Sequence, residues 1–349
     1  MSDPNASPQQ APIGQPVPPP PAPQEPPQRP TPDVAIISQF CDDVEEAMGR
    51  VVKGQGGIVR HLLVGLLVQG HVLLEGNPGT AKTLMVRTLG RLCNLEFKRI
   101  QFTPDLMPSD ITGTSIFRPD RAEFEFRKGP VFTQLLLADE INRAPARTQA
   151  ALLQAMQERM VTADGADHSL GDVFCVIATQ NPLESEGTYP LPEAELDRFL
   201  FKLNLDYPDA KSELDIMQLH GAPKSPDDLA ALGAVQTFSA VDLRVMRELI
   251  YRVEVAAPVA NYALSILRST REHTFLRAGA STRAGVMLLR ASRALAATYR
   301  RGFVIPDDVR ELVVPTLRHR IFRTPAAELE GVSTDQILHD IVGHTPAPR

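Results

Sequence analysis

With 349 residues, 43% of them apolar and 22% charged, the chain is long enough for two compact domains and a tail, each with material for a core. Its formal net charge of −6 argues against bulk affinity for nucleic acid, and the absence of tryptophan beside five tyrosines leaves no evident platform for stacking single-stranded bases. The longest apolar run, residues 62–68, stops at Gln69, far short of a membrane span. Three cysteines, Cys41, Cys93 and Cys175, lack metal-site spacing and read as buried thiols of a reducing cytosol, so a cytoplasmic setting is expected.

The first 32 residues hold 13 of the 31 prolines, with almost no aliphatic patterning and few charges. Such a segment cannot bury enough apolar surface to offset chain entropy and is expected to be a disordered tail biased to polyproline II. Runs such as residues 18–21 could dock on a partner's aromatic groove, a plain spacer being the simpler reading. The tail has neither the basic start nor the apolar centre of a secretory signal. A helical lead-in follows over residues 34–48, and the chain bends at residues 51–55. The apolar run 71–75 then leads into Gly76-Asn77-Pro78-Gly79-Thr80-Ala81-Lys82-Thr83, which opens a helix-like segment over 84–92. A glycine-rich turn between strand and helix aims several backbone N–H groups and the positive helix end at one small volume, which suits a triphosphate. Lys82 would reach the β- and γ-phosphates, and the Thr83 hydroxyl would take one position on Mg²⁺. The usual pattern has a third glycine before the lysine; a methyl at Ala81 is tolerable where the backbone is already helical. An ordinary glycine turn is the plain alternative, against which the Lys-Thr pair counts.

A second strand is expected near residue 97, then an insertion, 103–130, whose runs 114–117 and 123–127 suit a hairpin. The next apolar strand begins at Gln134 and ends in two acids, Asp139 and Glu140. Asp139 would hold the metal through its water shell, and Glu140 would polarise an attacking water as general base. Buried acids are costly unless compensated, and a strand end reaching solvent is the alternative. A second hairpin, 160–162 with 168–170, precedes a strand over 172–179 that ends in Gln180-Asn181-Pro182. The Asn181 amide could orient the water, although Asn-Pro alone is a turn signal. A short acidic helix, 193–198, ends in Arg198 before a strand at 199–203. Strands near residues 71, 97, 134, 173 and 200 alternating with helices predict an α/β doubly wound parallel sheet with ligand at the strand tips.

From residue 206 the strand signal fades and amphipathic helices dominate. Over 282–300, Ala284, Leu288, Ala291, Leu295 and Tyr299 share one helical face, and Arg283, Arg290, Arg293 and Arg300 the opposite, outward one. Between Arg268 and Arg323 stand 12 arginines against 4 acids, an excess suited to subunit contacts or, as the lesser reading, to a phosphate backbone.

Five ordered motifs, at residues 76–83, 136–145, 178–182, 191–199 and 279–284, resemble the MoxR branch of AAA+ ATPases, and the similarity runs from about Val51 to about Ile321. Alanine before the P-loop lysine is itself a habit of that branch. The resemblance implies an AAA+ αβα nucleotide-binding domain over 33–205, with insertions near 103–130 and 159–171, and a helical lid over 206–349. It implies ATP and Mg²⁺ as cofactors; the eight scattered histidines show no further metal pattern. It makes Arg198 similar to an arginine finger reaching the neighbouring subunit's nucleotide, with local pairing to Glu195 or Asp197 as the alternative. Arg143 is a weaker candidate for such a contact, evenly matched by a local ion pair. Arg283 resembles sensor 2, a lid arginine that contacts the γ-phosphate and couples lid angle to nucleotide state. Residues 51–55 resemble the segment near the adenine, and the two insertions resemble the helix-2 and pre-sensor-1 insertions, which often face a pore or a client. The implied function is ATP hydrolysis by a ring, a homo-hexamer, acting as a chaperone-like remodeller of client proteins, often with a von Willebrand factor A-domain partner. A nucleic-acid motor and a slow nucleotide-dependent scaffold or switch are the rival readings; intact Glu140 and Arg198 count against the second.

Overall fold

The computed structural model describes residues 33–182, 187–220 and 240–348; the proline-rich tail expected over residues 1–32 lies outside the described residues. Two helices lead in, α1 (Ala35–Val51) and α2 (Gly56–Leu67), and α1 buries Ile37, Phe40, Cys41, Val44, Met48 and Val51 at helical spacing. There follow β1 (His71–Gly76), α3 (Lys82–Leu92), β2 (Phe97–Gln101), α4 (Pro108–Thr112), β3 (Gly113–Arg118), β4 (Glu123–Lys128), β5 (Leu135–Asp139) and, after a single 3-10 turn, α5 (Ala146–Glu158). The chain continues through β6 (Met160–Ala163), β7 (Ala166–Ser169), β8 (Cys175–Gln180), α6 (Glu193–Leu196) and β9 (Phe199–Leu205). The rest is mostly helical: α7 (Ala210–His220), α8 (Ala240–Arg252), α9 (Ala257–Glu272), β10 (Leu276–Ala278), α10 (Thr282–Thr298), α11 (Pro306–Leu317), β11 (Phe322–Arg323), α12 (Pro325–Leu329) and α13 (Thr334–His344).

The five strands expected from the apolar runs form one sheet in the order β2-β5-β8-β1-β9, and every pair is parallel. Both faces are covered, which is why β5 is apolar and buried along its whole length. Successive residues face opposite layers. Leu73, Leu136, Ala138, Val176 and Phe199 pack with Leu152, Leu153 and Met156 of α5. Val72, Leu74, Leu137, Ile177 and Phe201 pack with α1, α2 and α3, and this second core runs on without a break into α8, α9, α10, α11 and α13.

Both insertions form the expected hairpins, β3–β4 with Phe117 opposite Phe124 and β6–β7 with Val161 opposite His168. The hairpins touch: Phe126 stacks on His168 with ring centroids 4.4 Å apart, and the Ser115 hydroxyl donates to Asp164. The three cysteines are free and buried, and burial raises the pKa of each thiol. Among the described residues no helix is long and apolar enough to cross a membrane.

The arginine face of α10 looks outward only in part. Arg283 and Arg300 are exposed beside the acids Asp197 and Asp42, at 3.6 and 3.7 Å, and Arg300 also donates to Ser38 at 2.8 Å, whereas Arg290 is half-buried and donates to the Val68 carbonyl at 2.6 Å, just past the end of α2. Guanidinium groups on long apolar stems suit a half-buried face that meets a helix C-terminus. Tyr299, expected on the apolar face, is exposed, with Arg60 4.8 Å over its ring. The helix stops at Thr298 because Arg300 adopts a left-handed φ of +59° that closes its end. The local arginine excess is drawn down by acids outside the counted window: Glu193 for Arg277, Asp197 for Arg283 and Arg320, Asp335 for Arg318 and Glu328 for Arg323.

Candidate functional site

The C-terminal tips of β1, β5 and β8, with the edge of β2, enclose a cleft of about 530 Å³, lined by the loop from Pro78 to Leu84 and by Arg87, Arg99, Gln101, Asp139, Glu140 and Asn181. Gly76 ends β1 where β9 comes closest; a Cβ there would stand 2.6 Å from the Leu205 carbonyl oxygen, so this glycine answers first to strand packing. Gly79 takes a φ of +82° and Ala81 a φ of +61°. Ala81 is thus left-handed at the N-cap of α3, not already helical as its methyl was expected to require, and carries about 1–2 kcal/mol of strain. The turn lets the helix begin at Lys82, so its first N–H groups line the cleft. Thr80 donates its hydroxyl to the Asn77 carbonyl at 2.9 Å, and the Lys82 ammonium folds back on the carbonyls of Gly76 and Asn77.

Asp139 is buried and well partnered. Its Oδ2 accepts from the Thr83 hydroxyl at 3.2 Å and from Arg99 at 2.7 and 3.0 Å, and its Oδ1 accepts from the Thr179 hydroxyl at 2.5 Å. Arg99 supplies the compensating charge that a carboxylate at the end of a buried strand needs. Glu140 sits at a left-handed φ of +56°. Its N–H donates to Thr179 Oγ1 at 2.9 Å, and its carboxylate accepts from Gln101 at 2.7 Å and pairs with Arg143 at 3.2 Å. Within this chain Arg143 thus makes a local ion pair. Asn181 is buried at the tip of β8 and lines the same cleft. The residues fit a magnesium nucleotide: a hydroxyl and a carboxylate in mutual contact offer hard oxygens, and an ammonium and a helix N-terminus stand beside them.

Two of the expected arginines stand elsewhere. Neither Arg198 nor Arg283 lines the cleft. Helix α6 ends at Leu196, two residues short of expectation, and the Arg198 guanidinium donates to the Leu153 carbonyl at 3.1 Å and to Gln157 Oε1 at 2.5 Å on α5, not to Glu195 or Asp197. Arg283 lies 3.6 Å from Asp197, the residue before Arg198. Helix α10 thus carries Arg283, for which the resemblance implies a γ-phosphate contact from the lid, to the α6–β9 junction.

Arg87, Arg99 and Gln101 escape a reading of motifs, and Thr179 stands inside one without its role being evident. Arg99 and Gln101 alternate on β2, and Gln101 is register partner to Asp139, so the strand order brings them in. Thr179 is the polar residue in the otherwise apolar buried run of β8, which is a signal available in the sequence.

Comparison with known proteins agrees with this geometry. Residues 71–201 match the family described as ATPase family associated with various cellular activities (AAA), and residues 268–341 match the AAA lid domain. The fold is thus that of an AAA+ ATPase, a P-loop sheet with a helical lid. The chain is 44% identical over 303 residues to the uncharacterised protein YeaC of Bacillus subtilis, spanning 87% of this chain and 93% of the relative. It is 42% identical over 309 residues to Chaperone MoxR1 of Mycobacterium tuberculosis, spanning 86% of this chain and 80% of the relative. A crystal structure of a candidate ATPase from Cytophaga hutchinsonii superposes with a TM-score of 0.82 at 40% identity, over 90% of this chain and 97% of the other. The chain belongs to the MoxR family of AAA+ ATPases.

Proposed function

We propose that the chain is a Mg²⁺-dependent ATPase that works as a ring, a homo-hexamer, in the cytoplasm, and couples hydrolysis to the remodelling or maturation of client proteins. The carrying observation is the meeting of Lys82, Thr83, Asp139, Glu140 and Asn181 in one cleft at three strand tips. Bound Mg²⁺ would neutralise charge developing on the β- and γ-phosphates. Thr83 would hold the metal through its hydroxyl and Asp139 through the metal's water shell, and Lys82 would exchange the loop carbonyls for phosphate oxygens. Glu140 accepts the proton of the attacking water at Oε1, since Gln101 and Arg143 both engage Oε2, while the Asn181 amide holds that water in line. Arg198 and Arg283 both stand off the cleft of their own chain, Arg198 against α5 and Arg283 beside Asp197, the residue before Arg198. That arrangement supports a role for both on the nucleotide of a neighbouring subunit. The chaperone reading comes from the relative MoxR1, which bears that name, and from the MoxR resemblance comes a von Willebrand factor A-domain partner.

The test is ATP turnover across a range of protein concentrations, for wild type and Arg198→Ala, with mass photometry alongside. Turnover per chain should rise as rings form and collapse in the variant, while nucleotide binding survives. Turnover independent of concentration, or an active Arg198→Ala, would leave a nucleotide-dependent scaffold as the better reading.

A further inference from the structure

Arg320 lies just beyond α11 with its side chain only 2% exposed. A buried guanidinium is costly unless its donors are met, and these are directed at one short stretch of chain. Nε donates to the Asp197 carboxylate at 2.7 Å, and Nη2 donates to the Asp197 carbonyl at 3.1 Å and to the Phe199 carbonyl. Nη1 donates to the Leu200 carbonyl at 3.0 Å and, back on α11, to the Thr316 carbonyl. His319 adds a hydrogen bond from Nε2 to the same Phe199 carbonyl at 3.0 Å. The peptide before Arg198 and the next two carbonyls beyond it, of Phe199 and Leu200, are thus fixed from the C-terminal helices. A tie between the lid and the edge of the sheet could engage β9 anywhere along its seven residues; this one brackets Arg198. The Arg198 side chain, by contrast, is held only through one carbonyl and one glutamine amide of α5, so where its guanidinium can reach depends on the backbone that carries it.

We infer that Arg320 is a positioning residue for Arg198: it sets the backbone over residues 197–200 and with it the reach of the Arg198 guanidinium towards the neighbouring subunit's nucleotide. The inference rests on the finger role proposed above for Arg198. Lysine keeps the charge and can meet Asp197, but one ammonium cannot serve a carboxylate and three carbonyls spread over four residues, so Arg320→Lys releases the backbone while retaining the ion pair. A misplacement of about 1 Å in a catalytic group costs on the order of 10²-fold in rate.

The experiment is a double-mutant cycle in kcat and KM for ATP, with wild type, Arg320→Lys, Arg198→Ala and the double variant, each assembled at the concentration where wild type forms rings. Single-turnover assays with labelled ATP keep the slow variants measurable. Arg320→Lys should lose about 10²-fold in kcat with KM unchanged, and the double variant should be no slower than Arg198→Ala alone, because a finger already removed cannot be misplaced. Asp197→Asn, which keeps the carbonyl bonds and the side-chain shape, is the milder second variant should the lysine chain fold poorly; it should show a smaller loss, again absent on the Arg198→Ala background. Losses that multiply on that background, or a rise in KM at constant kcat, would reduce Arg320 to a structural tie and overturn the inference while the finger role stands. An Arg198→Ala protein that turns over normally would sink the finger role itself, and this inference with it.

Discussion

Thr179→Val isolates one hydroxyl that holds both acids of the cleft. Thr179 is fully buried; it donates to Asp139 Oδ1 at 2.5 Å and accepts from the Glu140 N–H at 2.9 Å. Valine has nearly the same shape, so packing changes little while both bonds vanish. A hydrogen bond to a carboxylate contributes about 1.5–3 kcal/mol, and an orphaned buried N–H costs about 1–3 kcal/mol more. The extra apolar burial of valine offsets about 1 kcal/mol. The net loss should be about 1.5–5 kcal/mol, read from urea unfolding followed by far-UV circular dichroism. Thr179→Ser keeps the hydroxyl and lacks a methyl group, so it should lose less than half as much. Turnover should also fall in the valine protein alone, because the left-handed backbone at Glu140 loses its anchor. If valine proves as stable as serine, the hydroxyl does not hold the carboxylates and the account of the strand tips is wrong.

Acid should weaken the fold through His71. Val176 donates its N–H to Nδ1 at 3.0 Å, so Nε2 carries the proton and faces the Met156 carbonyl at 3.1 Å, and burial lowers the pKa from 6.5 to about 4. The unfolded chain therefore binds the extra proton first; this contribution is complete above pH 6.5 and is lost as pH falls towards 4, about 3 kcal/mol at 1.36 kcal/mol per pH unit. Urea midpoints measured from pH 7.5 to 4.5 should fall less steeply for His71→Gln than for wild type, and parallel curves would contradict the assignment. Gly76→Ala should destabilise by about 1–3 kcal/mol even without nucleotide, since its Cβ would meet the Leu205 backbone at 2.6 Å; an apo protein of unchanged melting temperature would refute this.

What the sequence made legible is what lies close together along the chain. The phosphate loop, the acidic end of β5 and the amide after β8 each announce themselves within a few residues, and paired short runs around a turn locate both hairpins. Arg99 and Gln101 do not, because their place beside Asp139 and Glu140 follows from β2 lying next to β5, a long-range pairing that no local pattern encodes. The arginine face of α10 shows the same limit. Helical periodicity groups Arg290 with Arg300, but it does not say that α1 and α2 lie across from them. Ala81 is a different case: its left-handed backbone is imposed by the turn against the residue's own preference, so the sequence alone pointed the wrong way.

The second core passes from the sheet through α1, α2 and α3 into the C-terminal helices as one continuous apolar body. Such an interior is stiff, since close-packed side chains compress little and transmit strain. A displacement begun at the phosphate loop would therefore travel through the chain as through a solid lever, with little lost to bending on the way. The compliant joints of any working assembly would then fall at the seams between copies, and the stroke would be measured there.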